Sequence, residues 1–141
     1  MLYVFTMIVA MEPVGKGRPR SGQGHHYTPT RTRKVEKQIR QLAIDTWNDK
    51  LPLDGSLRVT LVAKCRRAKK AKTKYGTDWP TKTPDIDNIA KLILDSLNGL
   101  IFHDDAQIVQ LLVFKDWGEP SITIAIEQLK EEDHSKIPNL S

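Results

Sequence analysis

The chain reads as an α+β domain: a four-stranded mixed sheet covered by two main helices, in the order β-α-β-α-β-β. Three patterns predict it. Two segments repeat apolar residues at helical spacing, four alternate or run β-branched at strand length, and Gly- or Pro-bearing breaks separate them. With 141 residues and 39% hydrophobic content, one core is the expectation. Residues 1–130 are assigned to a single domain and 131–141, which are polar, to a disordered tail.

Leu2–Ala10 is β-branched and aromatic, and predicts the first strand. Glu12–Pro29 is rich in Gly and Pro and predicts a loop. Thr30 stands where a cap would begin a helix over Arg31–Asn48, whose Val35, Ile39, Leu42, Ala43 and Trp47 recur at helical spacing. Leu51–Gly55 breaks that pattern. Ser56–Lys64 then alternates, with Leu57, Val59, Leu61 and Ala63 on one face. Arg66–Lys82 is basic and aperiodic. After Pro84, Ile86, Ile89, Ala90, Ile93, Leu94 and Leu97 form the stripe of a second helix over Asp85–Asn98, which Gly99 is placed to stop. Gln107–Asp116 and Ser121–Gln128 read as a strand pair joined through Trp117–Pro120.

Net charge is +5 and the isoelectric point about 9.4. The distribution is sharper than the total. Residues 1–84 hold 18 Lys+Arg against 6 Asp+Glu, and residues 85–141 hold 4 against 11. A swing this large within one small domain predicts a polyanionic partner and a separate acidic site. The lone Cys65 excludes an internal disulfide and a thiolate zinc site, and a small buried hydrophobe explains it best. Met1–Met11 is apolar but lacks a basic start and is too short to span a bilayer, so a cytoplasmic protein without a membrane partner is expected.

The acidic residues gather in Asp85-Ile86-Asp87-Asn88-Ile89-Ala90-Lys91 and, a helix length later, in His103-Asp104-Asp105-Ala106-Gln107. Any one of them has a simpler explanation as a cap, a turn or a helical i, i+4 pair. Together, within a basic chain, they suit a hard divalent cation, because adjacent carboxylates repel unless a positive charge lies between them. Asp85 and Asp87 point the same way only if Asp85 precedes the helix, since on a regular helix they diverge by roughly 200°. Asp87, Lys91 and Asp95 follow at i, i+4 and i+8 on the face opposite the apolar stripe, and the return through Gly99–His103 is expected to bring Asp104 and Asp105 back near Asp85. His103 is a candidate general base, though a histidine beside two aspartates more commonly serves as a hydrogen-bond partner.

Lys16, Arg18 and Arg20 lie in a Gly-rich loop that lacks the spacing of a phosphate-binding P-loop. Arg66, Arg67, Lys69, Lys70, Lys72 and Lys74 form the densest basic run, followed by Tyr75 and Trp79. Singly these are ordinary surface cations. As a group they suit the backbone grip that dominates nucleic-acid affinity, with Trp79 or Tyr75 available to stack on an unpaired base. Core packing is an equal alternative for Trp79.

Pro84-Asp-Ile-Asp-Asn-Ile-Ala-Lys91, then Leu94-Asp-Ser-Leu-Asn-Gly99, then Asp104-Asp-Ala-Gln-Ile108, resembles the RusA family of Holliday-junction resolvases. Pro13-Val-Gly-Lys-Gly-Arg-Pro-Arg20 resembles that family's N-terminal basic motif, and the likeness runs over most of residues 2–128. The resemblance implies a homodimeric, Mg²⁺-dependent endonuclease (Mn²⁺ a possible substitute) of phage or prophage origin. Such an enzyme nicks four-way DNA junctions symmetrically in recombination and repair. It assigns Asp85, Asp87 and Asp105 as catalytic carboxylates and metal ligands, Asp104 as a further ligand, and Lys91 as the essential basic residue. Asp95 matches a recurrent position without a settled role. Two other functions fit the same composition: a nucleic-acid-binding protein without catalysis, and a structure-specific nuclease acting on flaps, forks or RNA. An enzyme for a small acidic metabolite fits poorly, because so broad a basic surface exceeds what a small ligand can use.

Overall fold

Alternation and helical spacing resolve into a two-layer α/β arrangement in a computed structural model. It describes residues 3–16, 30–48, 50–67 and 75–141, and the backbone of 20–22 and 25–27. The strands are β1 (Phe5–Val9), β2 (Arg20–Gly22), β3 (His25–Tyr27), β4 (Leu57–Cys65), β5 (Ile108–Trp117) and β6 (Ser121–Gln128). The helices are α1 (Thr30–Trp47) and α2 (Ile86–Leu97). The main sheet has the order β1-β6-β4-β5, with β5 parallel to β4 and β6 antiparallel to both of its neighbours. The mixed four-stranded sheet and its two helices are those expected from the sequence.

Period-two patterning decides which face the helices cover. Phe5, Met7 and Val9, Leu57, Val59, Leu61 and Ala63, and Ile122, Ile124 and Ile126 all turn inward. They share one core cluster with Ile39, Ala43 and Trp47 of α1 and Ile89, Leu92, Ile93 and Leu97 of α2. Burying a side chain of this size contributes about 1.5–3 kcal/mol. The opposite face carries Thr6, Thr60, Val62 and Thr123, none of them buried.

Two details differ from the expectation. Within Glu12–Pro29, β2 and β3 pair as a short antiparallel ladder. Strands of three residues hold too little alternation for periodicity to register. β5 and β6, expected as a pair, are not neighbours, because β4 lies between them. The connecting residues 118–120 cross the end of β4, where the Gly118 N–H donates to the Cys65 carbonyl at 3.0 Å. β4, with one face fully buried, takes an inner place with β6 paired on one side and β5 on the other. At the C-terminus, the Leu129 N–H donates to the Ser56 carbonyl at 2.8 Å and Glu131–Lys136 forms a 3-10 turn.

Candidate active site and nucleic-acid surface

Asp85 is the N-cap of α2, extended at φ −72° and ψ 154°, and its side chain makes no capping hydrogen bond. The Asp85 carbonyl instead accepts from the Ile89 N–H at 3.1 Å. Its carboxylate and that of Asp87 in the first helical turn are both exposed, where the amide dipoles of a helix start favour negative charge.

The entry of α2 is fixed by the loop after β1. The Lys16 N–H donates to the Asn88 carbonyl at 2.9 Å. A Cβ on Gly15 would lie 2.8 Å from Asn88 Cβ and 3.1 Å from Pro84 Cβ, so only glycine permits this approach. The Lys16 ammonium lies between Asp95 of α2, at 2.8 Å, and Glu36 of α1, at 2.5 Å, with 14% of the side chain exposed. Burial disfavours its charge, but the hydrogen bonds it donates to Asp95 and Glu36 outweigh this and hold its pKa above the usual lysine value. Arg40 ties the other end of α2 to α1, donating through Nη1 to the carbonyls of Ser96 (3.2 Å) and Asn98 (2.9 Å). Two of the carbonyls that a helix end leaves unpaired are thereby satisfied.

Gly99 turns the chain at φ 76°, and Asp105–Gln107 forms a 3-10 turn before β5. Gln107 holds this turn with four hydrogen bonds. Its Oε1 accepts from the backbone N–H groups of His103 (2.7 Å) and Asp104 (3.0 Å). Its Nε2 donates to the carbonyls of Leu53 (2.9 Å) and Gly55 (3.0 Å). His103 Nε2 pairs with Asp54 Oδ1 at 2.9 Å. A side-chain hydrogen bond with Asp104, which accepts from the protonated form, raises the pKa of Asp105, aided by some desolvation and by the charges of Asp104 and Asp95, while Lys91 opposes the rise.

The structure therefore groups Asp104, Asp105, Asp95 and Lys91 at the later turns of α2. Asp85 and Asp87 stand at its start, with Asp87 and Asp95 eight residues or about 12 Å apart along the axis. The return from α2 sets the Asp104–Asp105 pair within the field of Asp95 and Lys91. Among the described residues no three His, Cys, Asp or Glu side chains converge as a set able to hold a metal ion. The donor chemistry nonetheless fits a hard divalent cation, since every candidate is a carboxylate. Asp104 and Asp105 are also close enough to raise the pKa of Asp105, and a cation between the two carboxyls would relieve their repulsion.

Of the cations expected to meet nucleic acid, Arg18, Lys69, Lys70, Lys72 and Lys74 lie outside the described residues, and only the backbone of Arg20 is described, in β2. Arg66 is exposed and reaches Glu119 at 3.8 Å. Arg67 pairs with Asp78 at 2.8 Å, and its guanidinium lies 4.8 Å over the Trp117 ring. The Trp117 Nε1–H donates to the Asp78 carbonyl, and Lys82 approaches the same ring at 5.8 Å. Trp117 thus anchors both ends of the basic segment to β5. Trp79 is 66% exposed, which removes it from the core, and Tyr75 is also exposed.

Sequence reasoning gave no role to Gln107, Glu36, Gly15 or Trp117. The signal for Gln107 was present, since a glutamine next to paired aspartates carries both a donor and an acceptor for backbone groups. The partners of Glu36 and Trp117 come from distant segments and leave no local trace.

Residues 10–127 match the family model described as endodeoxyribonuclease RusA. The chain is also 32% identical over 132 residues to the uncharacterized protein YqaN of Bacillus subtilis (strain 168), an alignment that covers 84% of this chain and 92% of that protein.

Proposed function

Since this chain belongs to the RusA endodeoxyribonuclease family, we propose that it resolves Holliday junctions by paired, symmetric nicks in a Mg²⁺-dependent hydrolysis of the DNA backbone. The family acts on Holliday-junction DNA, which places the protein in recombination. The carrying observation within the chain is the polar side of α2. It presents Asp85, Asp87, Lys91 and Asp95 in succession, and the Gln107-clamped turn delivers Asp104 and Asp105 to its later end.

Asp85, Asp87, Asp105 and Asp104 are the oxygen donors that would hold Mg²⁺, with Mn²⁺ a substitute. When bound, such an ion lowers the pKa of its water and neutralises phosphate oxygens. Lys91 supplies positive charge to the phosphate as negative charge accumulates in the transition state. Lys16 neutralises Asp95, removing one carboxylate from repulsion with an incoming phosphate. His103, paired with Asp54, orients the turn instead of abstracting a proton. The exposed cations at Arg66 and Arg67, the basic residues between them and Tyr75, and the N-terminal basic loop grip the DNA arms. Trp79 offers a flat face to a base unstacked at the crossover. No helix among the described residues is long and apolar enough to cross a membrane, and the site of action is the cytoplasm. Two copies serve the two nicks, one for each side of a pseudo-symmetric junction.

The test uses labelled four-way, three-way, flap and duplex DNA with Mg²⁺. The intact chain should nick the four-way junction at paired positions. Asp85→Asn, Asp87→Asn and Asp105→Asn should each lower the rate at least 100-fold while retaining gel-shift affinity, because losing a carboxylate relieves repulsion with phosphate. Junction binding without any Mg²⁺- or Mn²⁺-dependent nicking would instead identify a non-catalytic binder. Preferred cutting of flaps or forks would move the substrate and leave the chemistry in place.

A further inference from the structure

α1 carries its charge in a costly place. Thr30–Arg40 holds five cations, Arg31, Arg33, Lys34, Lys37 and Arg40, against one acid, Glu36. Its first turn has no acidic residue, although the positive end of the helix dipole favours anions there and disfavours Arg31 and Arg33. Helix stability does not account for that placement. On 3.6 residues per turn, Arg33, Lys37 and Arg40 fall within about 60° of one another, and Arg31 does not join them. This row meets α2. With Glu36, Asp95 and Ser96 it lines an open groove of about 190 Å³ between the two helices. Arg33 and Lys37 are exposed, and neither pairs with a carboxylate among the described residues.

The two carboxylates of the groove are already engaged, since Lys16 lies between Glu36 and Asp95. Arg40 is held by the carbonyls of Ser96 and Asn98. Counting Lys16 with the row, four cations face two carboxylates, a balance of +2 that calls for an anion. The layout selects which anion. A rise of 1.5 Å per residue sets Lys37 about 6 Å and Arg40 about 10 Å beyond Arg33 along the axis. A small anion meets one or two of these groups, whereas a strand with regularly spaced phosphates meets them in turn. The groove also reaches Asp95, whose charge is felt at Asp105, so a strand lying in it leads to the acidic side of α2.

We propose that the row Arg33, Lys37 and Arg40 of α1 is a phosphate track, which holds the nucleic-acid strand on one flank of the acidic site at phosphates other than the one cut. It rests on the nuclease reading for where the cut falls, but its test is binding in EDTA, without cleavage. Arg33→Gln combined with Lys37→Gln is compared with Lys130→Gln combined with Lys136→Gln, which removes the same charge from exposed positions at the C-terminal turn. In fluorescence anisotropy with a labelled four-way junction, the groove pair should weaken binding roughly 10-fold. It should also make the slope of log K against log salt shallower by about 1.8, or 0.9 for each phosphate released. The control pair should move that slope by less than about 0.5. Arg33→Lys alone should keep the parental slope, because its charge is retained. The melting temperature of the groove pair should match or exceed the parent's, since the helix dipole opposes Arg33, and this separates lost grip from lost fold. An unchanged slope in the groove pair, or an equal change in both pairs, overturns the track and leaves the junction nuclease standing. A parent that binds polyglutamate through Arg33 and Lys37 but no DNA would assign the groove to an acidic protein and overturn it as well. A junction gripped through Arg33 and Lys37 yet never nicked with Mg²⁺ would refute the nuclease function and leave the track in place.

Discussion

Gln107 shows how much one side chain can organise. Its amide spans four backbone groups from two segments about fifty residues apart, so the position of Asp104 and Asp105 depends on it. Gln107→Ala should destabilise the fold by about 1–3 kcal/mol, because backbone donors and acceptors lose a partner with no replacement. Denaturant unfolding measures this, and a change under about 0.3 kcal/mol would mean the clamp holds nothing. The aspartates were legible as residues because like charges in such density are costly and ask for a cause. Lys16 was less legible. Its ammonium is enclosed by Asp95 and Glu36, and neither partner is near it in sequence, so its neighbours suggested a surface cation.

At the level of elements, α2 was readable almost to the residue. Its apolar stripe is wide, Asp85 starts it and Gly99 follows it. Its placement was not readable, because that depends on the glycine-mediated contact with the loop after β1. Gly15→Ala should push the loop away from Asn88, 2.8 Å from the added Cβ, and from Pro84, and cost about 1–3 kcal/mol, the range for overpacked contacts. A thermal melt within one degree of the parent would show that the loop yields freely. The neighbours of β5 and β6 were misread for a related reason. Alternation marks a strand and its inward face, but it says nothing about which strand lies alongside.

For the whole molecule, the opposed charge of the two parts of the sequence was visible without any structure, whereas its layout in space was not. Among the described residues, Arg66 and Arg67 follow the end of β4 and Lys82 precedes α2, and Trp117 gathers Arg67 and Lys82. Junction affinity should therefore fall steeply with salt. In a plot of log K against log salt, the slope should be about −4 or steeper, since neutralising five or more phosphates contributes about −0.9 each. A slope near zero, measured by fluorescence anisotropy between low and moderate salt, would remove the electrostatic grip.

The place of β6 between β1 and β4 has a consequence for synthesis on the ribosome. β1 is made well before its sheet partner, Ser121–Gln128, which follows it across all of α1, β4, α2 and β5. Until those residues emerge, the nascent N-terminal strand has no hydrogen-bonded neighbour, although β4, α2 and β5 are already complete. Closing a loop of this length is slow compared with local contacts, so until β6 is made the apolar side of β1 has no sheet to join and only helical neighbours, such as Trp47 against Phe5, to cover it.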